Sequence, residues 1–483
     1  MKKTKRMIAL VCAAGLIAAT AACDRTKKTA ESEDVTNITW YVPISAQSDM
    51  QSVMDAAAEI TVPLIGAKLD LQCIDASAFK ERMNMNMASG DSFDLTFAGY
   101  LNPYLQAVRK GGLMDITDII DKEAPKLKES LPDYAWEVAK VKDRIYAVPN
   151  LQFYALPNSL LFLKKYCDKY NFNPNDMKSM NDLEPFLAKI KANEPGIYPY
   201  TPSYHTLLWT GDKYEVIEAN VAIKADGSSP EVFLIYDTPE YKEAIETLHS
   251  WFEKGYIRSD YLSVGSDAAD TKAGKYAVNN SGWAPGAEIT AKINNGNNDV
   301  IIKPMTKPYM IRKKATDTMI AVGANSKNPE KSVKMIELMN TNKELYNLIC
   351  YGIKDKHYKT DSSGKFEIIE DGGYVTNSAW MFGNQFNAML QQGQEDGIWE
   401  ETKKLNDEAQ LSPLYGFLPD TKKISVQLAS CKSVVGEYKT ALGEGVGDTD
   451  QLYSEFIAKL DAAGVNTLID ELQTQIDAWV AKK

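Results

Sequence analysis

From Val35 onward, short runs of β-branched and aromatic residues alternate with longer stretches whose apolar positions recur every three or four residues. VTNITWYVP (35–43) reads as a strand ended by Pro43. A helix over Asp49 to Ile60 follows, then KLDLQCID (68–75) as a second strand. AFKERMNMNMASG (78–90) predicts a helix that stops at Ser89-Gly90. FDLTFAG (93–99) then resumes as a strand apolar on both faces. Strands that alternate with helices in this way build βαβ units, so the fold class is α/β with mainly parallel sheets.

Further along, DTPEYKEAIETLHSWFEKGYI carries the fullest helix signature. Thr238 caps it, Pro239 opens it, Tyr241, Ile245, Leu248 and Phe252 form one face, and Lys254-Gly255 ends it. SKNPEKSVKMIELMN repeats the pattern with Asn328 and Pro329. In the tail, Leu468, Leu472, Ile476 and Trp479 share a helical face. VKDRIYAVPNLQFYALPN and KYAVNNSGWAPG are short, extended and rich in Pro, Asn and aromatics, and they read as crossings between two lobes.

The ends change the picture. Lys2, Lys3, Lys5 and Arg6 precede a small-residue apolar run from Met7 to Ala22, too short for a comfortable membrane span and patterned as a secretory signal. Ala21-Ala22-Cys23 resembles a bacterial lipobox, with Thr20 where Leu is usual. Residues 1–22 are therefore expected to be removed and Cys23 to be diacylated. The alternative is an ordinary signal cut after Ala22. Residues 23–36 have almost no aliphatic content and read as a tether. Two acyl chains suffice for stable anchoring, which predicts a body held by lipid at the outer face of the cytoplasmic membrane.

The remaining 461 residues suit two domains. Loss of the four leader cations takes the formal charge from −11 to −15, which argues against nucleic acid and against anionic lipid as partners. Cys73, Cys167, Cys350 and Cys431 are too scattered for a disulfide framework or a zinc site. HExxH, GxSxG, P-loop and GxGxxG patterns do not occur, and no metal site or cofactor is expected. Only His205, among aromatics in PYTPSYHTLLWTG, stands out of the three histidines. A glycosidase carboxylate pair is defined by spatial separation and stays open at this point.

What the chain does offer is 25 Tyr, 14 Phe and 8 Trp, many beside Asn, Gln, Gly and Pro. Aromatic faces pack on pyranose C–H surfaces while amides pair with hydroxyls, a combination suited to carbohydrate. WMFGNQFN (380–387) concentrates it: Phe382 and Phe386 read as core anchors around Gly383, and Trp380, Asn384 and Gln385 as cleft groups.

YAVPN, KKYCDKYNF, GKYAVNNSGW and GANSKNPEKSVKMIELM, in that order, resemble the extracellular solute-binding lipoproteins of ABC importers, in the maltose-binding-like class of type II topology. YGIKDKHY, FGNQF, SPLYGF, EYKTALGEG and the tail are similar to a Gram-positive subgroup with a distinctive C-terminal region. The resemblance implies two α/β lobes that close on a ligand like a hinged trap, no turnover, and delivery to membrane permease subunits by a monomer. It divides the body into a first lobe of residues 37–149 with about 276–315, and a second of 150–275 with about 316–483. Carried over by position, ligand contacts are expected from Trp40, Tyr41, Tyr100 and Asn102. Asn150, Gln152 and Tyr154 follow at the first crossing, and Tyr204, His205 and Trp209 in the second lobe. Trp283 lies at the return crossing, and Trp380, Asn384 and Gln385 complete the set. The neutral FGN surroundings point to an uncharged oligosaccharide. A surface glycoside hydrolase and a peptide-binding lipoprotein are the competing readings.

Overall fold

A computed structural model describes residues 35–482 apart from 156, 202–205, 265–266 and 313. The leader and Cys23 lie outside the described residues. Two separate central sheets bear out the two-lobed α/β expectation. In the first, the strand order is Ala67–Cys73, Thr36–Val42, Leu95–Gly99, Thr318–Val322, Ala147–Pro149. In the second it is Val300–Pro304, Asn158–Leu163, Tyr276–Gly282, Tyr198–Tyr200.

Pairing direction records the path of the chain. The strands of the opening βαβ units are parallel to one another. Asn158–Leu163 and Thr318–Val322, each the first strand laid in its central sheet after the chain crosses over, run antiparallel to both neighbours. The first sheet thus interleaves a late strand between two early ones, which ties the two halves of the sequence into one core.

This topology corrects the lobe boundaries. KYAVNNSGW is not a crossing. Its strand Tyr276–Gly282 is central in the second sheet, and Val300–Pro304 belongs there too. The return comes later, and residues 318–322 lie in the first sheet, where the division at about 316 had placed them in the second lobe. The physical reason is that strand-like composition does not encode a partner; only register across the sheet does. The first crossing falls where expected, between Ala147–Pro149 and Asn158–Leu163. Two further stretches, Tyr309–Met310 and Gln410–Leu411, pair side by side as parallel ribbons where the chain passes between lobes.

Some local signals behave as the sequence suggests, whereas Asn328, expected to cap the helix Pro329–Thr341, makes no side-chain cap bond and donates through Nδ2 to Asp94 Oδ1 at 3.3 Å. Thr238 Oγ1 accepts from Tyr241 N–H at 3.3 Å and opens the helix Pro239–Glu253. Trp251, not Phe252, turns fully inward from this helix. The helix Val465–Val480 buries Leu468, Leu472 and Ile476 four residues apart, with Trp479 edge-on to Phe417 at 5.8 Å. This helix, with Ser425–Gly443 and Thr449–Ala462, forms a separate core against the hairpin Tyr214–Glu218 and Val221–Lys224. Among the described residues, no helix is long and apolar enough to cross a membrane.

Candidate functional site at the edge of the first sheet

The strand Leu95–Gly99 is buried throughout and ends abruptly. Gly99 adopts φ +148°, and a Cβ there would lie 1.9 Å from Asp317 O. Only glycine allows that approach. It lets Tyr100 N–H donate to Asp317 O at 2.9 Å, joining the strand end to the returning chain. Asn102 Nδ2 donates back to Phe97 O at 3.1 Å and closes the turn. Tyr100 is thereby carried out of the sheet, 56% exposed.

Three other segments meet this edge. Asn150 N–H donates to Thr318 O at 2.9 Å, and Asn150 Nδ2 to Met381 O at 2.9 Å. Gln152 Nε2 donates to Thr318 Oγ1. Gln385 N–H donates to Leu151 O at 2.8 Å. The first crossing, the returning strand and WMFGNQFN are therefore stitched to one another by neutral hydrogen bonds. WMFGNQFN itself folds as two single 3₁₀ turns, Ala379–Met381 and Gln385–Asn387, the second capped by Asn384 Oδ1, which accepts from Phe386 N–H at 3.0 Å.

The rings divide by depth. Phe382 is fully buried and meets Trp40 edge-on at 5.5 Å; Phe386 is buried nearby. Trp380 is half-buried. Its centroid is 6.1 Å from Phe97 and 6.0 Å from Tyr100, with the Trp380 and Tyr100 planes 38° apart. Phe97 also meets Tyr100 edge-on at 5.8 Å, so one buried ring supports two that reach outward. Edge-to-face contacts of this kind hold aromatic planes in preferred geometry. The result is a partly exposed aromatic surface beside amide side chains, with Tyr100 also facing a cavity that Arg109, Asp317 and Lys432 help to line.

Several expected contacts need correction. Trp40 is 1% exposed and belongs to the core, because helices cover both faces of this sheet and leave neither side of a central strand in water. Tyr154 is equally buried, its hydroxyl donating to Asn150 O at 2.6 Å. Trp209 is buried in the second-lobe core. Asn102 and Asn150 are buried amides that hold turns, an outcome their polarity hid. Tyr41 is half-buried, edge-on to Phe93 at 6.0 Å. Tyr204 and His205 lie outside the described residues. The structure brings together Tyr100, Gln152, Trp380, Asn384 and Gln385. Trp283 stands apart, lining a cavity of about 400 Å³ with Gly286, Ile289, Gly393 and Ile398.

Sequence reading missed Phe97, Asp317 and Thr318. Phe97 was legible as buried, but its role as a mount depends on which rings pack on it. It also missed a charged cluster in the second lobe's hairpin and the return. Glu215 Oε1 accepts from Arg312 N–H at 2.8 Å, and its Oε2 accepts from Tyr309 Oη at 2.6 Å. Arg312 Nη2 donates to Ile217 O at 2.6 Å and Nη1 to Phe417 O at 3.2 Å. Burial pulls the Arg312 guanidinium below its ordinary range, against the opposing pull of Glu215. Among the described residues, no group of three or more His, Cys, Asp or Glu side chains could hold a metal ion.

Residues 66–345 match the family model described as bacterial extracellular solute-binding protein, and residues 413–481 match a domain of unknown function, DUF3502. The chain is 28% identical to a carbohydrate ABC transporter substrate-binding protein of Streptococcus pneumoniae serotype 4, over 98% of this chain and 96% of that one. Its structure is similar to that of the N-glycan transport solute binding protein NgtS from Streptococcus pneumoniae. The TM-score is 0.84 at 26% identity, over 93% of this chain and 100% of the other. Complexes of NgtS with Man1GlcNAc and Man5GlcNAc match at 0.76 and 0.73, each at 25% identity, over 92% and 93% of this chain and 100% and 99% of the other. With more than half of its length matched and both sheets in place, the chain belongs to the bacterial extracellular solute-binding proteins.

Proposed function

We propose that this chain captures a neutral oligosaccharide between its lobes and passes it to the membrane permease of an ABC importer. The observation that carries this reading is the Tyr100–Trp380 surface, two outward rings mounted on Phe97 with amides beside them and no charged group in WMFGNQFN. Such a surface receives the apolar face of a sugar ring, and the neighbouring amides select among hydroxyl patterns. The relatives named for carbohydrate and N-glycan transport support the same class of ligand. Binding energy from both lobes shifts the equilibrium toward the closed form, which is the form a permease would receive. Lipid on Cys23 would hold the monomeric body at the outer membrane face on the tether of residues 23–36.

Calorimetry with Man1GlcNAc, Man5GlcNAc, xylan- and pectin-type oligomers and a peptide panel tests this reading, with the mixtures checked for cleavage products. Saturable binding of a neutral glycan without product is the expected result. Binding restricted to peptides, or release of shorter sugars, would overturn it. Trp380→Ala should weaken glycan binding about tenfold, equal to ~1.4 kcal/mol, with the unfolding temperature nearly unchanged.

A further inference from the structure

The region matched only to a domain of unknown function begins with a segment whose successive residues go to different lobes. Leu414 is buried in the core of the C-terminal helices, on the second-lobe side. Tyr415 is buried in the first-lobe core, its hydroxyl donating to Tyr134 O at 2.9 Å. Phe417 returns to the second-lobe side against Trp479. Two arginines then take carbonyls two residues apart. Arg312, from the return crossing, donates to Phe417 O at 3.2 Å. Arg109, at the end of the first-lobe helix Tyr104–Arg109, donates to Pro419 O at 2.8 Å. Finally, Asp420 N–H donates to Gln475 Oε1 at 2.7 Å, and Gln475 Nε2 donates to Asp420 O at 2.9 Å, fixing the far end to the last helix.

We propose that residues 414–420 are a strap that sets the angle between the lobes, and that Tyr415 and Arg109 are its first-lobe anchors. The three C-terminal helices give the strap a rigid mount on the second lobe. Tyr415 then reaches across as a ring plugged into the first-lobe core. Beside the Arg109 contact lies a cavity of about 570 Å³ whose walls include Tyr100 and Arg109 from one lobe, Glu218 and Lys432 from the other, and Pro419 of the strap. That space gives the lobes room to change their angle, which the strap contacts limit together with the chain crossings. A strap of this kind narrows the range of angles in the free protein. Because apparent affinity scales with the fraction of molecules in a competent arrangement, narrowing that range strengthens capture without touching the ligand. Tyr415 and Arg109 are thus positioning residues for the capture proposed above, on which this inference rests.

Small-angle scattering of the ligand-free protein reads the lobe angle directly and does not depend on which ligand is bound. Tyr415→Ala should increase the radius of gyration and broaden the distance distribution, while glycan affinity falls roughly three- to tenfold. Tyr415→Phe, which loses only the bond to Tyr134, and Arg109→Gln, at a half-exposed site, should shift the distribution the same way by less. They carry the test if Tyr415→Ala does not fold. Scattering curves of both milder variants that superimpose on the parent, at unchanged unfolding temperature, would overturn the strap. Failure of every glycan to bind while the curves shift would instead strike the ligand assignment and leave the strap standing.

Discussion

The two lobes bury unpartnered polar groups of different kinds. At the edge of its sheet the first lobe uses neutral groups: Asn150 bonds to Thr318 and Met381, Gln152 to Thr318 and Gln385 N–H to Leu151, while Asn150 Oδ1 and Gln385 Oε1 stay buried without a hydrogen-bond partner among the described residues. Toward the C-terminal helices, the second lobe encloses Glu444, 6% exposed, whose Oε2 has no hydrogen-bond partner among the described residues. Burial, with the Asp267 carboxylate adding to it, pushes this acid from 4.5 up to about 9. Its place just after the C-terminal end of the helix Ser425–Gly443, where carbonyls point outward, is also unfavourable for an anion. The contrast teaches that the edge proposed to meet a ligand leaves only uncharged groups unpartnered, whereas the opposite lobe tolerates an acid that folding keeps protonated.

The comparison can be broken first in the core of the first lobe. Phe382→Ala should cost about 3–5 kcal/mol of stability, read as a lower urea midpoint. It should also weaken ligand binding, because Phe382 anchors the segment that bears Trp380. In the second lobe, Glu444→Gln should raise stability near pH 8 by up to about 3 kcal/mol, without altering affinity. The sign follows from linkage. The folded state holds a proton that the unfolded state releases above about 4.5, so the acid's contribution is full below that pH and is lost as pH climbs toward about 9. The glutamine variant should therefore flatten this part of the stability profile; an unchanged profile would show that Glu444 does not titrate in this way. The smallest effect is expected at Thr238→Ala, which removes a helix cap far from the rings and should cost ~1 kcal/mol in thermal unfolding.

Much of the architecture was legible because it is written locally. Thr238-Pro239 announces a helix, the spacing of Leu468, Leu472 and Ile476 gives one its buried face, and FDLTFAG is apolar enough to mark a central strand. The lobe to which Tyr276–Gly282 belongs was not legible, since its sequence specifies extension and only the pairing with Asn158–Leu163 places it. The site was half legible for a related reason. Trp40 and Trp380 have similar polar and aromatic neighbours along the chain and end up at different depths, Trp40 buried against Phe382 and Trp380 half-buried against Phe97. One sits in a strand that helices cover on both sides, and the other in a turn at the margin. Asn150 and Asn384 look like sugar-binding amides, yet each spends a polar group on the backbone, Asn150 through Nδ2 to Met381 O and Asn384 through Oδ1 from Phe386 N–H. That choice is made by tertiary packing, which composition does not record.

Gly99 has a consequence for how this surface could change its preference. Any side chain at that position would run into Asp317 O, whereas Tyr100, next along the chain, is more than half exposed. A library selected for a new sugar should therefore recover exchanges at 100 and 380 and return glycine at 99 nearly every time. The backbone beneath the rings is closed to adaptation, and on the reading proposed above the rings are where ligand choice would evolve.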